Sequence, residues 1–182
     1  DIPRDLGGTL RISATPHRIE GDAGHLVYHP ASVAVGVGCE RGTDPAELIA
    51  LVNSTLEAGD IASEAIAGIY SLDLKADEPA VHAAAAALGV EAWFFGAATL
   101  EAETPRLMTP SDVVFREVGC HGVSEGAALA AAGAAAELTV GKQKSARATC
   151  AIAVSPDPIA GNGAAQPQGR LLVVGTGPGR DG

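Results

Sequence analysis

Along this chain short apolar runs alternate with stretches whose apolar positions recur at helical spacing, and glycines stand at most of the joins. Ser32-Val33-Ala34-Val35-Gly36-Val37 is apolar and rich in β-branched side chains, which suits a buried strand. A glycine-rich turn, Gly38 to Asp44, follows it. From Pro45 to Ala58 the apolar residues Leu48, Ile49, Val52 and Leu56 fall on one helical face. Thr43 or Asp44 is the expected cap, Pro45 suits the first turn, and Gly59 ends the helix. Gly68 to Leu72 reads as a second strand, running into the charged turn Asp73-Leu74-Lys75-Ala76-Asp77-Glu78. Pro79 to Leu88 is then a helix stopped by Gly89, and Glu91 to Phe95 a third strand. Ala97 to Glu103 and the stretch opening at Ser111 are expected as short helices, and Val123 to Ala132 as an Ala-rich helix after the turn Gly119 to Gly122. Glu137–Val140 and Ala146–Val154 are expected as two strands joined through Gly141-Lys142-Gln143-Lys144.

Strands alternating with helices imply an α/β fold, a three-layer domain with helices on both faces of a central sheet. The closing strand pair makes that sheet mixed, though mostly parallel. Residues 31–155 form this domain. Ahead of it, residues 1–30 carry two short strands, Thr9–Ala14 and His25–His29, around the polar turn Glu20-Gly21-Asp22, and read as an arm or the end of a preceding unit. Residues 156–168 have the Pro, Gly, Ala and Gln composition of a linker. Residues 169–182, with LLVVGTGPG, read as a strand and glycine loop that open a further domain.

Composition narrows the function classes. The apolar fraction of 47% is ample for a core, but aromatics are only 3%, so the core is built from small side chains. A net charge of −10 argues against nucleic acid and against an anionic membrane surface. No apolar run approaches the ~20 residues that span a bilayer. Three scattered cysteines show neither a disulfide framework nor zinc spacing, so no metal is expected and a reducing cytoplasm is the expected setting.

The sharpest local feature is the glycine loop Gly36, Gly38, Cys39, Arg41, Gly42 and Thr43, between a strand and a helix start. Backbone amides and the helix dipole favour an anion there, although neither the P-loop nor the G-x-G-x-x-G spacing is met; a plain strand-to-helix turn is the equal alternative. Cys39 is a nucleophile candidate or, with better odds, a small apolar filler. Cys120-His121 is a weak candidate pair in a turn. The turn carrying Asp73, Lys75 and Glu78 lies at the C-terminal end of a strand, where open α/β sheets take ligands; alternatively Asp77 caps the next helix and the rest is solvated. Glu125 near a helix start is either a dipole-stabilising carboxylate or, with Asp73, a candidate general acid or base. Lys142 and Lys144 supply local positive charge in an acidic chain, either for a ligand or as a solvated turn.

Taken together, VAVGVGCERGT (Val33 to Thr43), SLDLKADEP (Ser71 to Pro79), WFF (Trp93 to Phe95), GVSEGAAL (Gly122 to Leu129) and KQKSARATCAIA (Lys142 to Ala153) resemble, in order, the C-terminal domain of cobalamin-biosynthesis protein G and its stand-alone CobE relatives. Ala97 to Leu100 adds nothing to the match. The arm is similar to the region preceding that domain in protein G, and LLVVGTGPGRDG is similar to the first strand and loop of precorrin methyltransferases, as in fusions to the precorrin-3B C17-methyltransferase. The resemblance implies a carboxylate-rich precorrin or corrinoid as ligand, with a fused or neighbouring methyltransferase as partner. It implies no cofactor in this domain, S-adenosylmethionine belonging to the methyltransferase. Protein G opens the δ-lactone of cobalt-precorrin-5A and releases acetaldehyde, so the resemblance leaves three roles open: a corrinoid-binding module, a lactone hydrolase, or a spacer that docks flanking domains. A homodimer is also left open. Arg41, Lys75, Lys142, Lys144 and the glycine-loop amides are the groups expected to meet ligand carboxylates.

Overall fold

The computed structural model describes residues 10–160. Two short strands come first, β1 (Arg11–Ala14) and β2 (His25–Tyr28). The main domain follows with β3 (Val33–Cys39), α1 (Pro45–Ala58), β4 (Ile66–Leu72), α2 (Pro79–Leu88) and β5 (Ala92–Phe95). Three further helices, α3 (Ala97–Glu101), α4 (Asp112–Val118) and α5 (Val123–Ala132), lead to β6 (Glu137–Lys144) and β7 (Ala148–Val154). The main sheet has the order β5-β4-β3-β7-β6: β3, β4 and β5 run parallel, while β7 is antiparallel to β3 and β6 to β7. This is the expected mixed three-layer α/β domain.

Alternation along β3 explains the layers. Val33, Val35 and Val37 point to the α1 and α2 side, where they join Leu48, Val52 and Ile69 in one core. Ala34 points the other way, into a second core with Tyr70, Leu72 and the Ala-rich face of α5. Gly36 and Gly38 share that second face by the same alternation. A Cβ on Gly36 would lie 1.9 Å from the Ser124 carbonyl oxygen and 2.7 Å from the Ala128 nitrogen, so only glycine lets α5 settle on the strand. Close approach of α5 to β3 packs this face beside the aromatic group of Tyr70, Trp93 and Phe95 on β4 and β5. On the other face, each fully buried Val or Leu side chain contributes about 1.5–3 kcal/mol before the entropy of ordering it.

Helix ends mostly follow their sequence signals. Asp44 caps α1 by accepting from the Ala46 amide, Pro45 opens it and Gly59 closes it. Gly89, at φ 67, takes the left-handed turn that ends α2. Three expectations are corrected. The strand continues through Cys39, so Gly36 and Gly38 are ladder residues paired with Ala151 and Thr149 and not part of a loop. Lys142 and Lys144 lie within β6, and the β6–β7 turn is Ser145 to Arg147. Asp77 does not cap α2: it is exposed and pairs with Arg41, while the residue at the cap position, Glu78, makes no side-chain capping bond.

The arm forms its own two-stranded sheet, with β1 and β2 parallel. It is tied to the connection between α1 and β4 by Ala62 N–H donating to Pro16 O (2.9 Å) and Arg18 N–H to Asp60 O (3.1 Å). At the other end, residues 156–160 of the expected linker stay against the domain, with Ile159 N–H donating to Ala31 O at 2.8 Å. The glycine loop at 169–182 lies outside the described residues.

Candidate functional site

A cleft of about 390 Å³ opens where β3 and β4 end, walled by the start of α5, one side of α4 and the end of the β6–β7 hairpin. It is therefore at the C-terminal edge of the parallel strands, the ligand edge of open α/β sheets. Four basic side chains line it, Lys75, Lys142, Lys144 and Arg147, against two acidic ones, Glu40 and Glu117. In a chain of net charge −10 this is a local reversal of sign. Lys142 donates to the Thr109 carbonyl oxygen at 3.1 Å, and partial burial, with Lys144 beside it, lowers its pKa. Glu40 is neutralised by Arg147, whose Nε lies 3.0 Å from its carboxylate. Val114, Val118 and Val123 supply apolar wall.

The structure brings Gly38, Cys39, Lys75, Lys142 and Lys144 to this cleft. The other candidates fall beside or beneath it. Gly36 is under α5. Arg41 points away, with its guanidinium on Asp77 and on the Leu74 carbonyl oxygen. The Gly42 amide does not face an open anion site: it donates to the buried Glu78 carboxylate at 3.3 Å, so the protein supplies its own anion at that loop. Thr43 is buried and its hydroxyl donates to Glu40 O at 2.8 Å. Asp73 is exposed, in a 3-10 turn (Asp73–Lys75) after β4.

Glu125 is 1% exposed, and its carboxylate accepts four hydrogen bonds at 2.9–3.0 Å, from the amides of Met108, Thr109 and Lys142 and from the Thr109 hydroxyl. Both oxygens are occupied, so Glu125 braces the 107–109 loop and β6 against α5 and is poorly placed to move a proton. Cys39 has its pKa raised by burial and by nearby Glu78, the opposite of an activated thiol. Burial likewise raises Cys120. The adjacent His121 instead bridges Glu101 (Nδ1 2.9 Å) and Asp112 (Nε2 3.4 Å), which anchors α3 and α4 to the start of α5. Its hydrogen bond to Glu101 is the leading cause of that carboxyl's lowered pKa. Among the described residues no group of three or more His, Cys, Asp or Glu is arranged to hold a metal ion.

Two cleft residues were not anticipated. Arg147 holds the loop after β3 in place, donating to Arg41 O (2.7 Å) and Gly42 O (3.1 Å). Sequence patterning placed it inside a strand, and only the hairpin turn exposes it. Ser124 is 1% exposed, and its hydroxyl has no hydrogen-bond partner among the described residues. A larger cavity, about 580 Å³, lies at the opposite end of the sheet between the arm and α1. Its Arg18 and His29 are offset by Glu20, Glu57 and Glu64, and Arg18 Nε is committed to Ile61 O. It lacks the surplus of basic groups seen in the cleft.

Comparison with known proteins agrees with this layout. A family model, cobalamin synthesis G C-terminus, matches residues 33–153. Protein CobE of Sinorhizobium sp is 50% identical over 123 residues, covering 68% of this chain and 80% of that protein. Cobalt-precorrin-5A hydrolase of Priestia megaterium is 32% identical over 131 residues, 72% of this chain; the chain spans only 34% of that relative's length. The crystal structure of CobE, a protein from the cobalamin (vitamin B12) biosynthetic pathway, superposes with a TM-score of 0.63 at 36% identity, covering 68% of this chain and 89% of that one. That of cobalamin biosynthesis protein chiG from Agrobacterium tumefaciens gives 0.53 at 31%, covering 69% and 99%. The main domain, its cationic cleft included, falls inside the matched residues, and the chain belongs to the cobalamin synthesis G C-terminus family, a domain of cobalamin biosynthesis.

Proposed function

We propose that residues 31–155 bind a carboxylate-rich precorrin or corrinoid intermediate in the cleft at the end of β3. The observation that carries this reading is the cluster of Lys75, Lys142, Lys144 and Arg147 in one cleft of a strongly acidic chain. Charge-assisted hydrogen bonds from the three lysines suit the acid side arms of such a macrocycle, with Arg147 holding the loop after β3 beside them. Val114 and Val118 of α4, Val123 of α5 and Leu72 at the end of β4 suit its ring. The domain holds the intermediate for a fused or neighbouring precorrin methyltransferase, in the cytoplasm, where the three free thiols Cys39, Cys120 and Cys150 stay reduced. Among the described residues no helix is long and apolar enough to cross a membrane.

Absorbance titration with cobyrinic acid, which carries free carboxylates, and with cobinamide, in which they are amidated, tests this directly. The expected result is tighter binding of the acid, weakening as salt rises. Absence of any spectral change with cobyrinic acid removes the reading. The likeness to cobalt-precorrin-5A hydrolase supports a second reading, lactone opening with Asp73 as general base, since Glu125 has no free oxygen. Acetaldehyde release from a lactone-bearing precorrin, lost in Asp73→Asn, is its test.

A further inference from the structure

The N-terminus of α5 differs from those of α1 and α4. Asp44 caps α1 and Ser111 caps α4, but the cap residue of α5 is Gly122, which has no side chain to offer. First-turn amides of a helix have no intrahelical acceptor, and those of Val123 and Ser124 have none elsewhere among the described residues. Glu125, in the same turn, turns its carboxylate toward the amides of Met108, Thr109 and Lys142 and leaves the helix end unfilled. A second observation points the same way. The Ser124 hydroxyl is buried without a partner among the described residues, although Ser124 forms part of the cleft wall. Tyr70, Trp93 and Thr104 also carry a buried polar atom with no partner among the described residues, but of the four only Ser124 is in the cleft wall.

We propose that the start of α5 is a subsite for a single carboxylate, received by the Ser124 hydroxyl and the amides of Val123 and Ser124, and that it distinguishes a free acid arm from an amidated one. This rests on the corrinoid reading for the rest of the ligand and adds the place where one side arm is read. The donors here are N–H and O–H groups at the positive end of a helix dipole, and Lys142 and Lys144 stand in the same cleft. A carboxylate presents only acceptors to them. A carboxamide presents an NH₂ group that leaves at least one donor facing another donor. Gly38 is part of the design, because a Cβ there would lie 3.3 Å from the Val123 side chain and 2.9 Å from the Thr149 hydroxyl, crowding the helix end.

Ser124→Ala is the test, because it removes a group without a partner in the ligand-free protein. Its melting temperature is expected to equal or exceed that of the parent chain, while cobyrinic acid binds about tenfold more weakly and cobinamide binding is unchanged. A clear loss of melting temperature overturns the proposal, since the hydroxyl then has a structural partner. Unchanged affinity for cobyrinic acid also overturns it, and leaves the corrinoid reading standing. Tricarballylate serves as a probe independent of the corrin ring. It is expected to shift the Val123 and Ser124 amide resonances, and less so in Ser124→Ala. Shifts with tricarballylate but no binding of cobyrinic acid would support the subsite and sink the corrinoid reading. If neither compound moves those resonances, the subsite is wrong.

Discussion

Gly36→Ala is the substitution whose consequence follows most directly from the packing. The added Cβ meets the Ser124 carbonyl oxygen at 1.9 Å and the Ala128 nitrogen at 2.7 Å, and both are backbone atoms of a helix that cannot rotate aside. Relief requires α5 to lift from β3 by more than an ångström along a buried face. Overpacking of cores by a methyl group typically costs 1–3 kcal/mol, and with backbone as the obstacle the upper figure, about 3 kcal/mol, is expected here. At roughly 2–4 °C per kcal/mol for a domain of this size, the melting temperature should fall by about 6–12 °C. Circular dichroism at 222 nm measures this, with Gly42→Ala as the control. Gly42 has φ 69 and nothing within 4 Å of its Cβ position, so its cost is limited to the backbone conformation, about 1 kcal/mol. A Gly36→Ala protein that melts within about 2 °C of the parent would refute the claim that the glycines of β3 are there for helix approach.

Glu125→Gln places an NH₂ group among donors that all require an acceptor; a loss of about 3 kcal/mol in urea unfolding is expected, and a neutral result would show that the carboxylate is not the brace described. Tyr70 is buried, its hydroxyl has no partner among the described residues, and desolvation pushes its pKa up to about 12. Because the folded value lies above the ordinary 10.0, the neutral phenol's contribution is complete below pH 10 and is lost as pH climbs toward 12. Tyr70→Phe should therefore be as stable as the parent at pH 7 and lose less stability between pH 10 and 12, as read by denaturant midpoints. Arg147→Ala frees the loop after β3; the melting temperature should hardly move, because the side chain is exposed, while cobyrinic acid binds several-fold more weakly. Equal affinity would place Arg147 outside the site.

The periodic elements were legible because local signals and tertiary demand coincide there. Leu48, Val52 and Leu56 fit one helical face, and Pro45 and Gly59 bound it as the composition indicates. The glycines of β3 were not legible. Glycine supports tight turns and close approach alike, and only the position of α5, nearly ninety residues later, decides that Gly36 and Gly38 belong to the second use. The same non-locality explains Glu78, whose partner amide is Gly42, and Asp77, whose partner is Arg41. Charge in the turn could be read along the chain, but which charges face each other could not. Lys75, Lys142 and Lys144 do converge, since Lys75 follows the end of β4 and Lys142 and Lys144 lie near the end of β6, on the same edge of the sheet. Glu125 was visible as a helix-start carboxylate; that its four bonds come from two other segments was not.

A crystal structure of the chain in complex with cobyrinic acid tests the central claim most directly. The prediction is a corrin ring at the C-terminal end of β3, with side-arm carboxylates in hydrogen-bond reach of Lys75, Lys142 and Lys144. A ring seated at the opposite end of the sheet, against Arg18, His29 and Glu64, would contradict it.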